Sequence, residues 1–212
     1  MSPTLLVVAK APVPGLAKTR IGQQVGHERA AEVAAASLLD TLATATAVGW
    51  PVVVALTGDL RVATRGDEIE AALALTQVVP QRGESFGERL VHAHRDADAG
   101  HGVVQVGMDS PQATVADYRQ AGRDLAEGAT VLGPASDGGW WLLGVTEASR
   151  AAVLDSVPMS RADTAARTAD ALGGDVRWLR TLTDMDSWDD AVSIAAALTG
   201  SHLAAAVARS AA

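Results

Sequence analysis

Three cationic side chains, Lys10, Lys18 and Arg20, lie close together near the start of the chain. Of its 17 basic residues, only Lys10 and Lys18 are lysines. A lysine ammonium is a compact point charge that suits a phosphate oxygen, whereas the guanidinium of arginine is a planar fork. The segment also contains Gly15, whose small size leaves backbone N–H groups accessible. This composition predicts a phosphate-binding loop.

The phosphate loop of nucleotide hydrolases is one alternative, because Lys18 and Thr19 follow an apolar segment. That loop requires glycine where this chain has Pro12 and Ala17. Proline also has no backbone N–H to offer a phosphate. The sequence therefore argues against a nucleotide hydrolase of that class.

A carboxylate, Asp109, follows the apolar run Val103–Gly107 and precedes Ser110 and Pro111. In open α/β sheets, ligands bind outside the carboxyl ends of the strands. A carboxylate at that position is a good oxygen ligand for magnesium. The alternative is that Asp109 or Ser110 caps the next helix.

A second acidic segment contains Asp184 and Asp186, followed by Asp189 and Asp190. We expect either that one of Asp184 and Asp186 reaches a site alone or that the segment is a turn. Asp189 and Asp190 are predicted in the first turn of the next helix, where negative charge is favourable.

The glycine-rich segment 133–139 joins two predicted strands and could wrap a substrate through Asp137, although Asp137 and Gly138 also fit a simple hairpin turn. Trp140 and Trp141 then point to opposite faces of a strand, so one indole is expected at the site and the other in the core. His92 and His94 lie two residues apart on a predicted helix and face different ways, which argues against a histidine metal site.

Composition limits the function classes further. The 212-residue chain has a formal net charge of −8, 48% hydrophobic residues and no cysteine. The charge argues against non-specific binding to nucleic acid or to an anionic membrane. The absence of cysteine excludes disulfides, thiolate zinc sites and cysteine nucleophiles. The apolar run Leu5–Ala9 is too short for a signal or membrane segment, and a cytoplasmic location is the expectation.

Strands and helices are predicted to alternate along the chain, as a mostly parallel sheet covered on both faces requires. We expect one nucleotide-binding transferase domain over residues 1–199 and an alanine-rich tail, in part a short helix, over residues 200–212. The predicted strands are Thr4–Ala9, Pro51–Thr57, Leu75–Val79, Val103–Gly107, Ala129–Leu132, Trp140–Val145 and Val176–Leu179. The predicted helices are His27–Val48, Glu88–Asp98, Thr114–Glu127, Glu147–Leu154, Asp163–Leu172 and Ser187–Leu198.

Four motifs together resemble a known family: A-K-A-P-V-P-G-L-A-K-T-R, G-M-D-S-P, G-P-A-S-D-G-G-W-W-L-L-G and D-M-D-S-W-D-D-A. From about Thr4 to Ala197, the chain looks like the transferases termed radical-SAM/selenodomain-associated transferase 1, a domain of unknown function. These are similar to the guanylyltransferases of phospholactate and of molybdenum cofactor. The resemblance implies a three-layer α/β/α sandwich with a Rossmann-like, mostly parallel mixed sheet of the nucleotide-diphospho-sugar transferase (GT-A) type.

The resemblance also implies roles for individual residues. Lys18, Arg20 and Asp109 would be catalytic, and Asp109 would hold Mg²⁺ or Mn²⁺ with Asp184 or Asp186. The implied nucleotide-binding set is Ala9, Lys10, Pro14, Gly15, Lys18, Arg20, Gln81, Gly87 and Gly107. The implied substrate-binding set is Ser110, Asp137, Gly138, Gly139 and Trp140.

Three functions fit these features. The leading hypothesis is a metal-dependent nucleotidyltransferase that moves a nucleoside monophosphate from a triphosphate to a small phosphorylated or anionic acceptor and releases pyrophosphate. The second is a glycosyltransferase that uses a nucleotide-diphosphate sugar, with Asp137 as base and a tryptophan as sugar platform. The third is a nucleotide-binding protein without turnover. Losing Lys18 is expected to reduce function more than losing Lys10.

Overall fold

A seven-stranded mixed sheet, with strand order β3-β2-β1-β4-β6-β5-β7, forms the centre of the computed structural model, which describes residues 2–209. Within those residues the strands are β1 (Thr4–Lys10), β2 (Val52–Thr57), β3 (Gln77–Pro80), β4 (Val103–Gly107), β5 (Thr130–Pro134), β6 (Trp140–Val145) and β7 (Val176–Trp178). Strand β6 pairs antiparallel with both β4 and β5, and all other pairs are parallel.

Eight α-helices accompany the strands in the described part of the chain. They are α1 (Thr19–Val25), α2 (His27–Ala47), α3 (Gly66–Leu73), α4 (Phe86–Asp96), α5 (Val115–Ala126), α6 (Thr164–Leu172), α7 (Trp188–Ala197) and α8 (His202–Arg209). Leu60–Val62 and Ala148–Asp155 form 3₁₀ helices. None of the helices between residues 2 and 209 is long and apolar enough to cross a membrane.

The sheet is buried on both faces, which confirms the predicted three-layer α/β/α sandwich. Helices α2, α3 and α5 cover one face, whereas α4, the 3₁₀ helix Ala148–Asp155 and α6 cover the other. Strand β1 is buried from Thr4 to Ala9. Its continuous apolar run, without alternation, is the pattern expected of a strand covered on both sides.

A third hydrophobic cluster lies outside the sandwich and joins α1, α2, α7 and α8. Leu203 and Ala206 of α8 are fully buried there. Residues 202–209 of the predicted tail therefore form a helix packed onto the rest of the chain, and residues 210–212 lie outside the described residues.

All seven strands lie within a few residues of their predicted positions, but two helices were not predicted. Helix α1 has only seven residues, and no side chain caps its N-terminus. Helix α3 begins directly after Arg65, which is in the left-handed backbone conformation. The predicted helix at 147–154 is instead the 3₁₀ helix Ala148–Asp155.

Candidate functional site

The carboxyl ends of β1 and β4 meet at one edge of the sheet, where a cavity of about 470 Å³ opens. Strand β6 runs antiparallel to β4, so its first residue, Trp140, lies at the same edge. This cavity is the one predicted at the strand ends. Of the residues proposed from the sequence, those that border it are Ala9, Lys10, Gln81, Gly107, Asp109, Ser110, Asp137, Gly139, Trp140 and Asp184.

Asp109 sits in a turn that buried side chains hold in place. The hydroxyl of Ser37, in the middle of α2, donates a hydrogen bond of 2.7 Å to the carbonyl of Met108. The thioether of Met108 accepts a hydrogen bond from the backbone N–H of Lys10. Helix α5 is capped by Thr114, which forms a capping box with Asp117, so Asp109 and Ser110 are not the cap residues. The turn is thus fixed to both β1 and α2.

Lys18 connects the first loop to this turn. Its Nζ lies 3.0 Å from Oδ2 of Asp109 and donates a 2.6 Å hydrogen bond to the carbonyl of Met185. The Lys18 side chain is 11% exposed, and its backbone is left-handed with φ 47°. Such a backbone is unfavourable for a residue with a side chain. Lys18 is therefore held between the two acidic segments of the chain, and unlike Lys10 it is not among the residues that border the cavity.

Asp184 is the most perturbed carboxyl group at the cavity. Burial, followed by the neighbouring charge of Asp137, raises its pKa to about 6. Lys18 opposes this shift, whereas Asp186 and Asp109 add to it. The accumulation of negative charge makes ionisation of Asp184 costly in the absence of a cation.

Asp186 and Arg20, which the resemblance places at the metal and the phosphates, pair with each other outside the cavity. The Arg20 guanidinium donates a 2.7 Å hydrogen bond to Oδ2 of Asp186, and the Arg20 side chain is 75% exposed. Neither residue borders the cavity. Of the two aspartates, only Asp184 reaches the site. Residues two apart share one face of a regular strand, and the two side chains separate here because residues 183–186 are not in a strand.

Four further glycine and proline positions of the predicted set also lie away from the cavity lining. Gly15 has φ 77° and faces open space, next to Pro14. Gly138 packs against the segment before α6, where a Cβ would lie 2.0 Å from the carbonyl oxygen of Ala162. At Gly87 a Cβ would lie 2.4 Å from the carbonyl oxygen of Leu154. Gly87 therefore allows α4 to pack against the 3₁₀ helix, and its predicted contact with a base is not supported.

Gln81 follows β3 and links three strand ends. Its Nε2 donates hydrogen bonds to the carbonyls of Ala9, at 2.8 Å, and Ala55, at 2.9 Å. Since the amide nitrogen is used within the protein, its Oε1 is the end available to a ligand.

The two tryptophans occupy opposite faces of β6, as predicted. Trp141 is 2% exposed and packs in the core beside α2 and α5, although it also borders the cavity. Trp140 lies on the other face, and its indole N–H donates to the hydroxyl of Thr168. That hydroxyl in turn donates to the carbonyl of Thr164. Trp140 is thus oriented by α6.

Several cavity residues were missed by the sequence analysis. Phe86 and Arg89 come from the start of α4, and Met159, Ser160 and Thr164 come from the segment that leads into α6. Gln105 lies inside β4 and is 3% exposed. Gln105 is the single polar residue in the apolar run V-V-Q-V-G, and that pattern could have marked it as a candidate site residue. The others depend on contacts between distant elements.

The donor set fits a divalent cation held by two carboxylates rather than three. Across residues 2–209, no group of three His, Cys, Asp or Glu side chains is placed to hold a metal ion. However, Oδ1 of Asp109 is buried and has no hydrogen-bond partner among the described residues. A buried, unpaired carboxylate oxygen is costly, and a hard cation would satisfy it. Asp109 and Asp184 are thus the residues that could hold Mg²⁺ or Mn²⁺.

Among the solved structures of similar fold are two named as transferases and one that holds manganese. A candidate nucleotide-diphospho-sugar transferase from Desulfovibrio desulfuricans G20 is 28% identical, with a TM-score of 0.85 over 99% of this chain and 95% of that one. A nucleotidyl transferase from Methanothermobacter, Mth528, is 14% identical, with a TM-score of 0.57 over 91% and 95%. Rv0371c from Mycobacterium tuberculosis H37Rv, in complex with manganese, is 17% identical, with a TM-score of 0.55 over 92% and 98%.

The chain matches a known family, although no individual curated protein matches the chain. Residues 39–161, more than half of the chain, match the family described as "Uncharacterized protein conserved in bacteria (DUF2064)". The narrower name suggested by the sequence motifs stays a prediction. The chain therefore belongs to DUF2064.

Proposed function

We propose that this protein is a metal-dependent transferase that acts on a nucleotide, and that its reaction is nucleotidyl transfer. A small phosphorylated or anionic acceptor would attack the α-phosphorus of a nucleoside triphosphate, and pyrophosphate would leave. The observation that supports this most directly is the cluster of Asp109, Asp184 and Lys18 at the ends of β1 and β4, with Oδ1 of Asp109 left unpaired.

Each of these residues has a distinct role in the proposed reaction. Asp109 and Asp184 would hold Mg²⁺ or Mn²⁺, which when bound supplies positive charge to the phosphates. The ammonium of Lys18 neutralises phosphate charge from the side of the first loop. An anionic acceptor is already ionised, so the reaction requires no strong general base. In-line positioning and charge neutralisation then provide the rate enhancement.

A glycosyl transfer from a nucleotide-diphosphate sugar is the second candidate. It is favoured by Asp137 and Trp140, which border the same cavity and could act as base and as sugar platform. The solved structures support both chemistries, since one is a candidate nucleotide-diphospho-sugar transferase and another a nucleotidyl transferase. The manganese complex of Rv0371c supports the use of a divalent metal. A nucleotide-binding protein without turnover is the third candidate.

One experiment separates these candidates. The purified protein is incubated with Mg²⁺ or Mn²⁺, with each nucleoside triphosphate or nucleotide sugar and with a set of small phosphorylated or sugar acceptors, and both the melting shift and the released product are measured. Pyrophosphate supports nucleotidyl transfer, and nucleoside diphosphate supports glycosyl transfer. A shift without either product supports binding alone.

The variant Asp109→Asn tests the metal site directly. We expect it to lose metal-dependent product release, because an amide is neutral and a weaker ligand for a hard cation. Asp186→Asn is the matched control, since Asp186 lies outside the cavity and should leave release unchanged. Full activity in Asp109→Asn would refute the proposed metal site.

A further inference from the structure

Gln105 is a buried amide in the central strand β4, between β1 and β6. It is 3% exposed and lies opposite Leu6 and Leu143 in the two neighbouring strands. A buried amide costs free energy unless its polar atoms are paired. Gln105 also borders the cavity, on the side of the sheet covered by α4 and α6.

One end of this amide is held by a histidine. Nε2 of His94, on α4, lies 2.8 Å from Oε1 of Gln105. His94 is fully buried, and burial lowers its pKa to about 4, so the imidazole is neutral at neutral pH. Its Nδ1 has no partner among the described residues. The favoured tautomer therefore carries the imidazole proton on Nε2, which donates a hydrogen bond to Oε1 of Gln105.

The other end of the amide is left for the cavity. None of the hydrogen bonds within residues 2–209 is donated by Nε2 of Gln105, and this atom is not among the fully buried unpaired atoms, so it is open to the cavity. Since Oε1 accepts from His94, the amide presents its two N–H donors to the cavity. A bound molecule must then place an oxygen with a lone pair at this point to avoid leaving the donors unpaired.

The neighbouring groups on this side of the cavity are mostly uncharged. Trp140 offers an indole face, and Met159 and Phe86 offer apolar surface. Among residues 2–209, Lys10 and Arg89 are the cations that border the cavity, and the Arg89 guanidinium is already bonded to the carbonyls of Gly83 and Glu84. Aromatic surface beside a neutral donor suits a ring that has C–H faces and hydroxyl oxygens. A cluster of phosphates would find few partners here.

We propose that Gln105, oriented by His94, is a specificity-determining residue that donates a hydrogen bond to a hydroxyl or ring oxygen of a sugar group seated against Trp140. The sugar is either attached to the nucleotide or presented as part of the acceptor. This inference rests on the proposed function, because it assumes that the nucleotide phosphates lie near Asp109 and Lys18. His94 is a positioning residue that acts through Gln105.

The test compares ligands with and without the sugar. With Mn²⁺ present, calorimetric titrations compare the affinity of the protein for UDP with that for UDP-glucose. They also compare the affinity for GDP with that for GDP-mannose. A second arm adds glucose 1-phosphate or glucose to the protein with Mn²⁺ and the better-bound diphosphate. We expect tighter binding of a nucleotide sugar than of its diphosphate, or sugar binding in the second arm. The first result assigns the sugar to the nucleotide, and the second assigns it to the acceptor.

Variants then test whether Gln105 contacts the sugar and whether His94 positions it. Gln105→Leu keeps the side-chain size but removes the donors. We expect it to reduce the gain in affinity from the sugar about tenfold, the effect of about one hydrogen bond, while diphosphate affinity stays constant. His94→Phe fills a similar volume and should cause the same selective loss.

The outcomes separate this inference from the proposed function. If the parent binds the diphosphates with Mn²⁺ but gains nothing from any sugar, the inference is overturned and the nucleotide site stands. The inference is also overturned if Gln105→Leu loses affinity for the diphosphate and the nucleotide sugar equally, or loses affinity for neither. If no nucleotide binds with Mn²⁺, the proposed function itself fails.

Discussion

Lys18 and Lys10 differ sharply in their surroundings, although both were candidates for phosphate binding. Lys18 is largely buried and contacts Asp109 and Met185, whereas Lys10 is an exposed residue at the end of β1. A charge held in a preorganised, poorly hydrated position stabilises transition-state charge more than a mobile surface charge does. Lys18 is thus the better candidate for contact with the reacting phosphates.

We expect Lys18→Ala to reduce the rate of product release on the order of 10². Lys10→Ala is the matched control and should reduce the rate much less, because its ammonium is solvated and makes no described ion pair. Rates are measured at saturating Mn²⁺, with circular dichroism to verify that both variants are folded. Equal rates for the two variants would remove Lys18 from the proposed catalytic set.

Asp184 gives a second prediction, which concerns stability as well as metal binding. Its folded-state pKa of about 6 is above the ordinary value of 3.8, so ionised Asp184 destabilises the native protein relative to the unfolded chain at neutral pH. We expect Asp184→Asn to raise the melting temperature at pH 7.5 in the presence of a chelator. Mn²⁺ should raise the melting temperature of the parent but not that of the variant.

The same pKa sets the expected pH dependence of metal binding. As the pH falls through about 6, Asp184 becomes protonated and the Mn²⁺ affinity of the parent should fall. Asp186→Asn should keep Mn²⁺ binding at pH 7.5, and the fall in affinity should begin at a slightly lower pH, because the charge of Asp186 adds to the raised pKa of Asp184. A Mn²⁺ affinity that stays constant between pH 7.5 and 5 would contradict the assignment of Asp184 as a ligand.

At the scale of elements, the sequence was sufficient for the strands but not for the pairing of distant segments. The apolar runs of β1 and β4 and the turn residues after them placed Asp109 at a strand end. The hydrogen bond from Ser37 to Met108 joins residues 71 positions apart, and the Arg20–Asp186 pair joins residues 166 apart. Such contacts depend on how helices pack on the sheet, which local patterns do not encode.

Gly87 and Gly107 show how two glycines of the predicted nucleotide-binding set differ. A Cβ at Gly87 would meet the backbone of Leu154, whereas a Cβ at Gly107 would have only the backbone nitrogen of Asp109 within 4 Å, at 3.9 Å. Gly107 borders the cavity, and Gly87 does not. The first glycine serves helix packing, and the second keeps space at the site.

We therefore expect opposite effects from the two substitutions. Gly87→Ala should destabilise the fold by about 1–3 kcal/mol, because overpacking shifts α4 away from the 3₁₀ helix. Gly107→Ala should leave the fold stable and weaken nucleotide binding, because the added methyl group occupies cavity space. Urea unfolding and nucleotide titration measure the two effects. A stable Gly87→Ala variant that loses nucleotide affinity would restore Gly87 as a binding residue.

At the scale of the whole molecule, α7 and α8 bring the end of the chain back to the first loop. Met185 is fully buried in the third hydrophobic cluster with Ile21 of α1 and Ile194 of α7. Its carbonyl accepts the hydrogen bond from Lys18. The packing outside the sandwich thus fixes the position of Lys18, which contacts Asp109 at the border of the cavity.

The buried imidazole of His94 makes the stability of the whole molecule depend on pH. The pKa of His94 is about 4 in the folded protein and about 6.5 when unfolded. Between these values the unfolded chain binds the proton more tightly, so the free energy of unfolding decreases as the pH falls from 6.5 towards 4. A shift of this size corresponds to about 3 kcal/mol at full effect.

The variant His94→Leu isolates this contribution, because it removes the titrating group while keeping an apolar side chain at the buried position. We expect the free energy of unfolding to fall less between pH 7 and pH 4.5 in this variant than in the parent, by about 2–3 kcal/mol. His101→Gln is the control for the loss of a histidine, since His101 is exposed rather than buried. Urea unfolding at both pH values gives the comparison, and parallel profiles for His94→Leu and the parent would show that His94 is protonated as readily in the folded chain as in the unfolded one.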